Sequence, residues 1–307
     1  MKRKTAFMLV IVGVITMSFS GPLVKAALMN GASPASVAMT RMLLGALLTF
    51  PMALKKDAAG LRPMAAMLHL KKSHLIALVG GAVCLAGHYY TWMTSLNATS
   101  TFASVALVCT QPLFVAALSG LLLHEPMAKA SRPGALVALV GAVLIGVSSL
   151  STGGEKSLGG DLLALLGAAL MAGHWLIARY LRRSLPAMGY TCVVYALTAL
   201  ALFLCLPLLG GYAMPLSALP YVVALVLTST LLGHTLMTVA LGAVSADVVS
   251  FALLGEPVGT MVWAILFFHE IPSPLLVLGG AVVLIGLVMY LRGGIEHSAQ
   301  GQVASQG

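Results

Sequence analysis

The chain carries very little charge. Lysine, arginine, aspartate and glutamate together make up 8% of its 307 residues, whereas 60% are hydrophobic and the mean hydropathy is +1.02. A soluble domain has about 25% charged residues, so this composition excludes a water-soluble globular protein. We predict an all-α integral membrane protein, because a helix satisfies its own backbone hydrogen bonds in lipid.

The sequence also lacks the motifs of an enzyme. It contains no nucleotide-binding loop, no donor-binding domain and no nucleophile–base pair, and its His-Glu pairs at His124 and His269 do not have the spacing of a zinc hydrolase. The cysteines show no metal-ligand spacing and are interpreted as small packing residues: Cys84, Cys109, Cys192 and Cys205. We predict no metal, no cofactor and no catalysis, with a membrane-embedded enzyme as the remote alternative.

Long hydrophobic runs are abundant. Ten runs of roughly 18 to 24 residues are each long enough to cross the hydrocarbon core of a bilayer. They lie near Phe7–Leu28, Ala35–Leu54, His74–Leu96, Ser100–Leu123, Gly134–Leu150, Asp161–Leu181, Tyr190–Leu209, Leu219–Leu241, Ser245–Phe268 and Leu275–Leu291. The first run follows MKRK and could pass for a signal peptide, but it aligns with the sixth run, so we expect it to be retained.

The net charge of +9 follows this topology and does not indicate binding to nucleic acid. With the N-terminus inside, all but three of the 17 lysines and arginines lie on the cytoplasmic side. The exceptions are Lys25, Arg41 and Lys156. This bias predicts a multi-pass protein of a bacterial inner membrane with both termini in the cytoplasm.

The two halves of the chain repeat one another. Ser100–Glu125 aligns without a gap on Ser245–Glu270, which places Pro112 on Pro257. An odd number of crossings separates the copies, so they would enter the membrane from opposite sides. We predict two inverted five-helix repeats, residues 1–150 and 151–292, and a disordered cytoplasmic tail at 293–307, with a flexible loop at Ser151–Gly160 between the repeats. Inverted repeats are typical of transporters that bind substrate at the midplane.

Ionisable residues within a span are candidate functional residues. Glu256 lies about ten residues into the ninth span, near the midplane, and Gln111 is its partner in the fourth. Each precedes a proline, which removes a backbone donor and favours a kink. We therefore predict Gln111 and Glu256 as substrate-binding residues and Pro112 and Pro257 as hinges; the alternative for Glu256 is a neutral structural carboxyl.

Further candidates lie in other spans. The embedded histidines are His88, His174 and His234, and the aromatic side chains beside them are Tyr89, Trp92 and Trp175. With Glu256 they could form a polar centre that binds substrate, and Glu256 and His174 are the candidates for proton coupling. Each histidine could equally be a structural hydrogen-bonding residue. Arg41 lies deeper than a snorkelling residue would, and could pair with a polar group or with a substrate carboxylate.

These motifs resemble the drug/metabolite transporter superfamily, in its ten-helix branch of two EamA-type domains. The resemblance covers nearly the whole chain and is carried by SPASVAMTRMLLGALL at Ser33–Leu48, by Thr99–Pro126 and by Leu231–Glu270. Arg41 matches an arginine common in the second span, whereas Val193 takes that place in the second repeat. The resemblance implies an inner-membrane carrier whose central cavity is lined mainly by spans one, three, four, six, eight and nine.

We therefore predict a secondary transporter that exports a small amphipathic metabolite, such as an amino acid or its derivative, by alternating access and possible proton exchange. The direction comes from the resemblance alone. An importer of a metabolite or vitamin, or an extruder of hydrophobic drugs, is the alternative. The predicted partners are a small-molecule substrate and membrane lipid, with a monomeric or homodimeric protein and no nucleic acid.

Overall fold

The computed structural model describes residues 3–55, 64, 70–122, 129–182, 185–233, 236, 255–269 and 271–304. Throughout these ranges the regular elements are helices, and no strand occurs in them. The α-helices are α1 (Arg3–Ser18), α2 (Ser20–Met29), α3 (Pro34–Leu54), α4 (Lys72–Ser95), α5 (Thr101–Val108), α6 (Gln111–Leu122), α7 (Arg132–Arg182), α8 (Ala187–Cys205), α9 (Leu219–Leu225), α10 (Glu256–Phe268) and α11 (Pro274–Ala304). Short 3₁₀ helices cover Lys129–Ser131 and Leu206–Leu209, and a π-helix covers Val226–Gly233.

Six helical segments are long and apolar enough to cross a membrane. They are Met8–Met29, Pro34–Leu54, Lys72–Ser95, Lys129–Ser151, Ser157–Ala178 and Met188–Leu209. Shorter apolar helices occupy Thr101–Val115, Leu219–Gly233, Glu256–Phe268 and Pro274–Tyr290, at the positions of the remaining predicted spans. The prediction of an all-helical membrane protein is confirmed.

Helix α7 is bent at the place where the sequence predicts a loop. The structure assigns helical backbone through Ser151–Gly160, so the expectation of a flexible loop there is wrong. The chain nevertheless turns back, because a Cβ at Gly146 would lie 3.6 Å from the side chain of Leu158. A straight helix would separate these residues by about 18 Å. The two parts of α7 therefore lie side by side.

The C-terminal end also differs from the prediction. The sequence indicates a disordered tail from Gly293, whereas α11 continues to Ala304. No proline interrupts this stretch, and each residue added to an existing helix gains a hydrogen bond without a new nucleation step.

The first part of α7 packs against α11 through glycines. A Cβ at Gly141 would collide with the backbone of Val283, and one at Gly286 would collide with Ala138. Small residues let two helix backbones approach closely, which favours van der Waals packing in lipid. The fifth and tenth predicted spans are therefore in direct contact.

The second part of α7 packs against α4, and the two segments run antiparallel. Gly87 faces Leu170, and Gly81 faces Ile177, so residue numbers rise along one helix as they fall along the other. Close packing of these two helices brings His88 and His174 into one interface.

Candidate functional site

Arg41 is a buried cation in α3, with 3% of its surface exposed. Its Nε donates to Thr230 Oγ1 at 3.1 Å, and its terminal nitrogens donate to Ser20 Oγ at 3.3 Å and Ser229 Oγ at 3.4 Å. These partners are neutral hydroxyls on α2 and on the π-helix. The guanidinium is therefore held in place by two other segments, while its positive charge is not neutralised by these contacts.

Aromatic rings cover Arg41 from the side of α4. Its guanidinium carbon lies 4.7 Å from the centre of the Tyr89 ring, within cation–π range. The neighbouring His88 ring stacks on the ring of Trp92, which lies one turn further along α4. The two ring centroids are 6.0 Å apart, and the angle between the ring planes is 9°. The structure thus brings four predicted site residues, Arg41, His88, Tyr89 and Trp92, into one cluster.

Trp92 adds a hydrogen-bond donor to this cluster. The side chain is 5% exposed, and its indole Nε1 is buried without a hydrogen-bond partner among the residues that the structure describes. A buried indole N–H usually finds an acceptor. Trp92 therefore has the capacity to donate one hydrogen bond to a bound molecule.

Two histidines join α4 and α7 by a reciprocal pair of hydrogen bonds. The Nδ1 atom of His88 lies 2.9 Å from the carbonyl oxygen of Gly167, and that of His174 lies 3.0 Å from the carbonyl oxygen of Gly81. A carbonyl oxygen can only accept, so each Nδ1 carries the hydrogen and Nε2 is the nitrogen able to gain a proton. The structural interpretation of both histidines thus has direct support.

The two residues before the prolines each begin a helix. Gln111 is the first residue of α6 after a turn at Cys109–Thr110, and Glu256 is the first residue of α10. The predicted kink in the fourth span is therefore a break between α5 and α6. Pro112 and Pro257 follow as second residues, where a missing N–H removes no helical hydrogen bond.

Helix α10 is too short to cross a membrane by itself. It has 13 residues and is about 20 Å long, less than the roughly 30 Å of the hydrocarbon core. A helix N-terminus carries a partial positive charge and unpaired N–H groups, so the starts of α6 and α10 are each suited to a negative or polar group.

Glu256 lies in the same neighbourhood as Arg41. The two side chains interact electrostatically, and Cys109 in the turn before α6 is also an electrostatic neighbour of Glu256. Helix α10 packs against α5 and against the α1–α2 segment, where the Thr260 hydroxyl donates to the Ser18 carbonyl oxygen at 3.0 Å. These contacts bring a cation and a carboxyl close together in the interior of the bundle.

Trp175 lies on the inner face of α7 but is 43% exposed. At about 100° per residue, it shares a face with the fully buried Ala168 and lies opposite Leu166, which is 48% exposed. The Leu166 face is the outer one, so the exposure of Trp175 indicates open space on the inner side of the helix. The His174 ring lies 5.8 Å from the Trp175 ring.

Some predictions find no test in these contacts. His234 lies outside the described residues. Gln111 is partly exposed, and the described contacts of its side chain do not distinguish a substrate-binding role from a structural one. In the described part of the chain, no group of three or more metal-ligating side chains lies together.

Sequence reasoning missed the hydroxyls that hold Arg41. Ser229 and Thr230 lie in the π-helix, a wide turn that is frequent at functional sites, and Ser20 lies at the start of α2. Isolated hydroxyl residues are common in membrane helices, so nothing in the sequence marks these three as partners of Arg41.

Comparison with known proteins agrees with this architecture. The family described as the EamA-like transporter family matches residues 4–147 and 158–292. The chain belongs to the EamA-like transporter family. This confirms the predicted superfamily and identifies a transporter that is embedded in a membrane.

Curated relatives are similar over nearly the whole chain. A probable terminal-alkyne amino-acid exporter from Streptantibioticus cattleyicolor is 26% identical over 95% of this chain and 95% of its own length. An uncharacterized transporter of Bacillus subtilis, YdfC, is also 26% identical, over 95% of this chain and 94% of its own. A solved crystal structure shares the fold with a TM-score of 0.63 and 18% identity, covering 94% of this chain and 98% of the other.

Proposed function

We propose that the protein is a secondary transporter of the bacterial inner membrane that exports an amino acid or an amino-acid derivative. In this proposal ten helices form two inverted five-helix repeats, and both termini lie in the cytoplasm. The six long apolar helices and four shorter ones at the predicted positions support this arrangement. The start of α6 and α10 at aligned residues of the two repeats supports it as well.

The observation that carries the substrate class is the state of Arg41. The direct hydrogen-bond partners of the buried guanidinium are hydroxyls, and Glu256 interacts with it only through space, so Arg41 can still accept a negative group in direct contact. A substrate carboxylate would supply that group through a charge-assisted hydrogen bond. The N-terminus of α6 at Gln111 would add backbone donors to the same group.

The carboxyl of Glu256 suits the other end of an amino acid. It interacts electrostatically with Arg41, and in this proposal one small molecule contacts both side chains. An α-ammonium group would pair with Glu256 while the α-carboxylate pairs with Arg41. Together the residues recognise a zwitterion, and neither residue alone does so.

The aromatic side chains would contact the apolar part of the substrate. Tyr89 and Trp92 lie beside Arg41, and Trp175 is exposed on the inner face of α7. His88 and His174 would border the substrate while holding α4 to α7. His234 stays a candidate on the basis of its position in the sequence.

Transport would proceed by alternating access, with Pro112 and Pro257 as hinges. The regular helix is already interrupted at Cys109–Thr110, which makes this turn a suitable hinge. Proton exchange would run through Glu256, whose carboxyl can bind either a proton or the substrate ammonium. His174 is the second candidate, because its Nε2 can gain a proton while Nδ1 stays bound to Gly81.

The direction of transport rests on a relative. The Streptantibioticus cattleyicolor protein is named as a probable exporter of a terminal-alkyne amino acid, and the same direction and substrate class are consistent with Arg41 and Glu256 here. Import of a small metabolite or vitamin is the competing function. Extrusion of hydrophobic drugs is less compatible with a buried charge pair, because such cargo has no carboxylate for Arg41.

The test begins with metabolites in cells that overproduce the protein and in cells that lack it, measured inside and in the medium. A solute depleted inside and enriched outside on overproduction would identify substrate and direction. Purified protein in proteoliposomes should then accelerate counterflow of that solute, and Arg41→Ala should remove the effect. Depletion from the medium on overproduction would instead establish an importer, and a substrate without a carboxylate would overturn the role of Arg41.

A further inference from the structure

A polar cavity lies at one end of the bundle, beyond the end of α4. Its volume is about 380 Å³, and it is bordered by the α4–α5 connection, the bend of α7, α10 and the start of α11. Its polar lining consists of six hydroxyl side chains: Thr99, Ser100, Ser148, Ser149, Ser157 and Ser273. Nothing in the proposed substrate site accounts for this concentration of hydroxyls.

A buried carboxylate lies behind this wall. Asp161 is 2% exposed, and among the described side chains neither of its carboxylate oxygens has a hydrogen-bond partner. The hydroxyls of Thr99 and Ser149 lie beside the Asp161 carboxylate as its side-chain partners, but at positions too loose for a full hydrogen bond. Thr99 and Ser149 also line the cavity, so the carboxylate lies next to it.

The packing around Asp161 fixes the positions of these oxygens. A Cβ at Gly160 would lie 2.8 Å from the backbone nitrogen of Thr99, so the α4–α5 turn presses directly against α7. The Thr99 hydroxyl is 3.2 Å from that of Ser157, and the Ser148 hydroxyl is 2.7 Å from that of Ser273. Three elements therefore present oxygen atoms to one small volume.

An isolated buried carboxylate is unfavourable unless a cation or a proton neutralises it. Oxygen ligands from carboxylate and hydroxyl groups suit hard cations, whereas nitrogen and sulfur ligands are needed for softer metals. A single carboxylate matches a single positive charge. We propose that Asp161, Thr99, Ser149 and Ser157 form a site for a sodium ion.

This site is independent of the substrate proposal, because none of its residues contacts Arg41 or Glu256 in the described part of the chain. Ion binding would join the bend of α7 to the α4–α5 turn. The side chains of Glu155 and Lys156, on the same bend, lie outside the described side chains.

The test is binding of ²²Na⁺ to the purified full-length protein in detergent, measured by scintillation proximity in choline chloride. We expect saturable binding that unlabelled NaCl displaces. Asp161→Asn should weaken it by at least about tenfold, because the ligand charge is lost. Ser149→Ala keeps the carboxylate and should weaken ²²Na⁺ binding by about threefold or more. This variant tests the proposal if Asp161→Asn does not purify as a monodisperse protein.

Two variants serve as controls. Ser217→Ala removes an exposed hydroxyl away from the cavity and should bind ²²Na⁺ like the wild type. Arg41→Ala should also bind it normally, so that failure of the sodium site and failure of the substrate site are distinguishable. Absence of saturable binding in the wild type, or equal binding by wild type, Asp161→Asn and Ser149→Ala, would overturn the proposal.

Discussion

The two proline-containing spans have the same backbone feature and different chemistry. In both, a helix begins at the residue before proline, at Gln111 in the first half and at Glu256 in the second. The first position carries a neutral amide and the second an ionisable carboxyl. The difference teaches that the interruption serves both halves alike, because it leaves backbone donors unpaired, whereas only the second half places an ionisable side chain at it.

Arg41 adds to this asymmetry. It interacts electrostatically with Glu256 and lies in the second predicted span, whereas Val193 takes the corresponding place in the second repeat. Each half thus contributes one charged residue to the proposed substrate site. A symmetric backbone therefore encloses an asymmetric pair of charges, as expected for a site that binds a molecule with two different ends.

The largest effect is expected for Glu256→Gln. The amide keeps the shape of the side chain but cannot take up or release a proton, so pH-driven exchange in proteoliposomes should fall to the level of protein-free vesicles. The measurement is solute flux under an imposed pH gradient, with the wild type and Ser217→Ala as references. Unchanged pH-driven exchange in Glu256→Gln would show that Glu256, in the second half of the chain, does not carry the proton.

Arg41→Ala tests whether the first half supplies the cation that the substrate needs. Loss of a charged hydrogen bond of about 1.5–3 kcal/mol should weaken binding of a carboxylate substrate by roughly 10- to 100-fold. The measurement is the substrate concentration for half-maximal counterflow. Thr230→Val is the matched control, since it removes one hydroxyl from Arg41 and leaves the charge. Equal losses in Arg41→Ala and Thr230→Val would point to a structural role for the cluster.

Gln111→Glu makes the two halves alike. A second carboxylate at the start of α6 would repel the substrate carboxylate and should weaken binding by roughly 3- to 10-fold, if the two helix starts face the same space. The same counterflow measurement applies, at two salt concentrations. Gln111→Ala is the control, because it removes the amide without adding charge. Unaltered binding in Gln111→Glu would show that α6 does not border the substrate.

The smallest effect on transport is expected at the interface between α4 and α7. His88→Ala and His174→Ala each remove one interhelical hydrogen bond, and each should lower the free energy of unfolding by about 1 kcal/mol. The two bonds lie two turns apart, so the losses should add in the double variant. Thermal unfolding of the purified proteins measures this, with His74→Ala as the control. A loss of pH-driven exchange in His174→Ala with unchanged stability would favour a proton role instead.

Prediction from the sequence succeeded where one residue type has one physical consequence. Proline lacks an N–H, so the break before Pro112 is a local property of the chain. Glycines at regular spacing permit close packing, so contact between Gly141 and the eleventh helix could be expected. The low fraction of charged residues predicted a membrane protein, and the need to satisfy backbone hydrogen bonds in lipid predicted that it is helical.

Prediction failed where partners come from distant segments. Thr230 and Ser20 bind Arg41 across long stretches of chain, and nothing in their local sequence marks them. The loop expected at Ser151–Gly160 was wrong because glycine and serine indicate a turn without excluding helical backbone. Asp161 was counted as the start of a span, and its environment of hydroxyls became visible only with the bend of α7.

The sequence by itself determined a helical protein in lipid, two similar halves and interruptions at two prolines, because composition and backbone chemistry act within a few residues of their origin. Tertiary structure alone decided which groups meet. It held Arg41 among hydroxyls and joined His88 and His174 to opposite helices. It also buried Asp161 beside a polar cavity, since the free energy of a charge in a membrane protein depends on atoms that arrive from elsewhere in the chain.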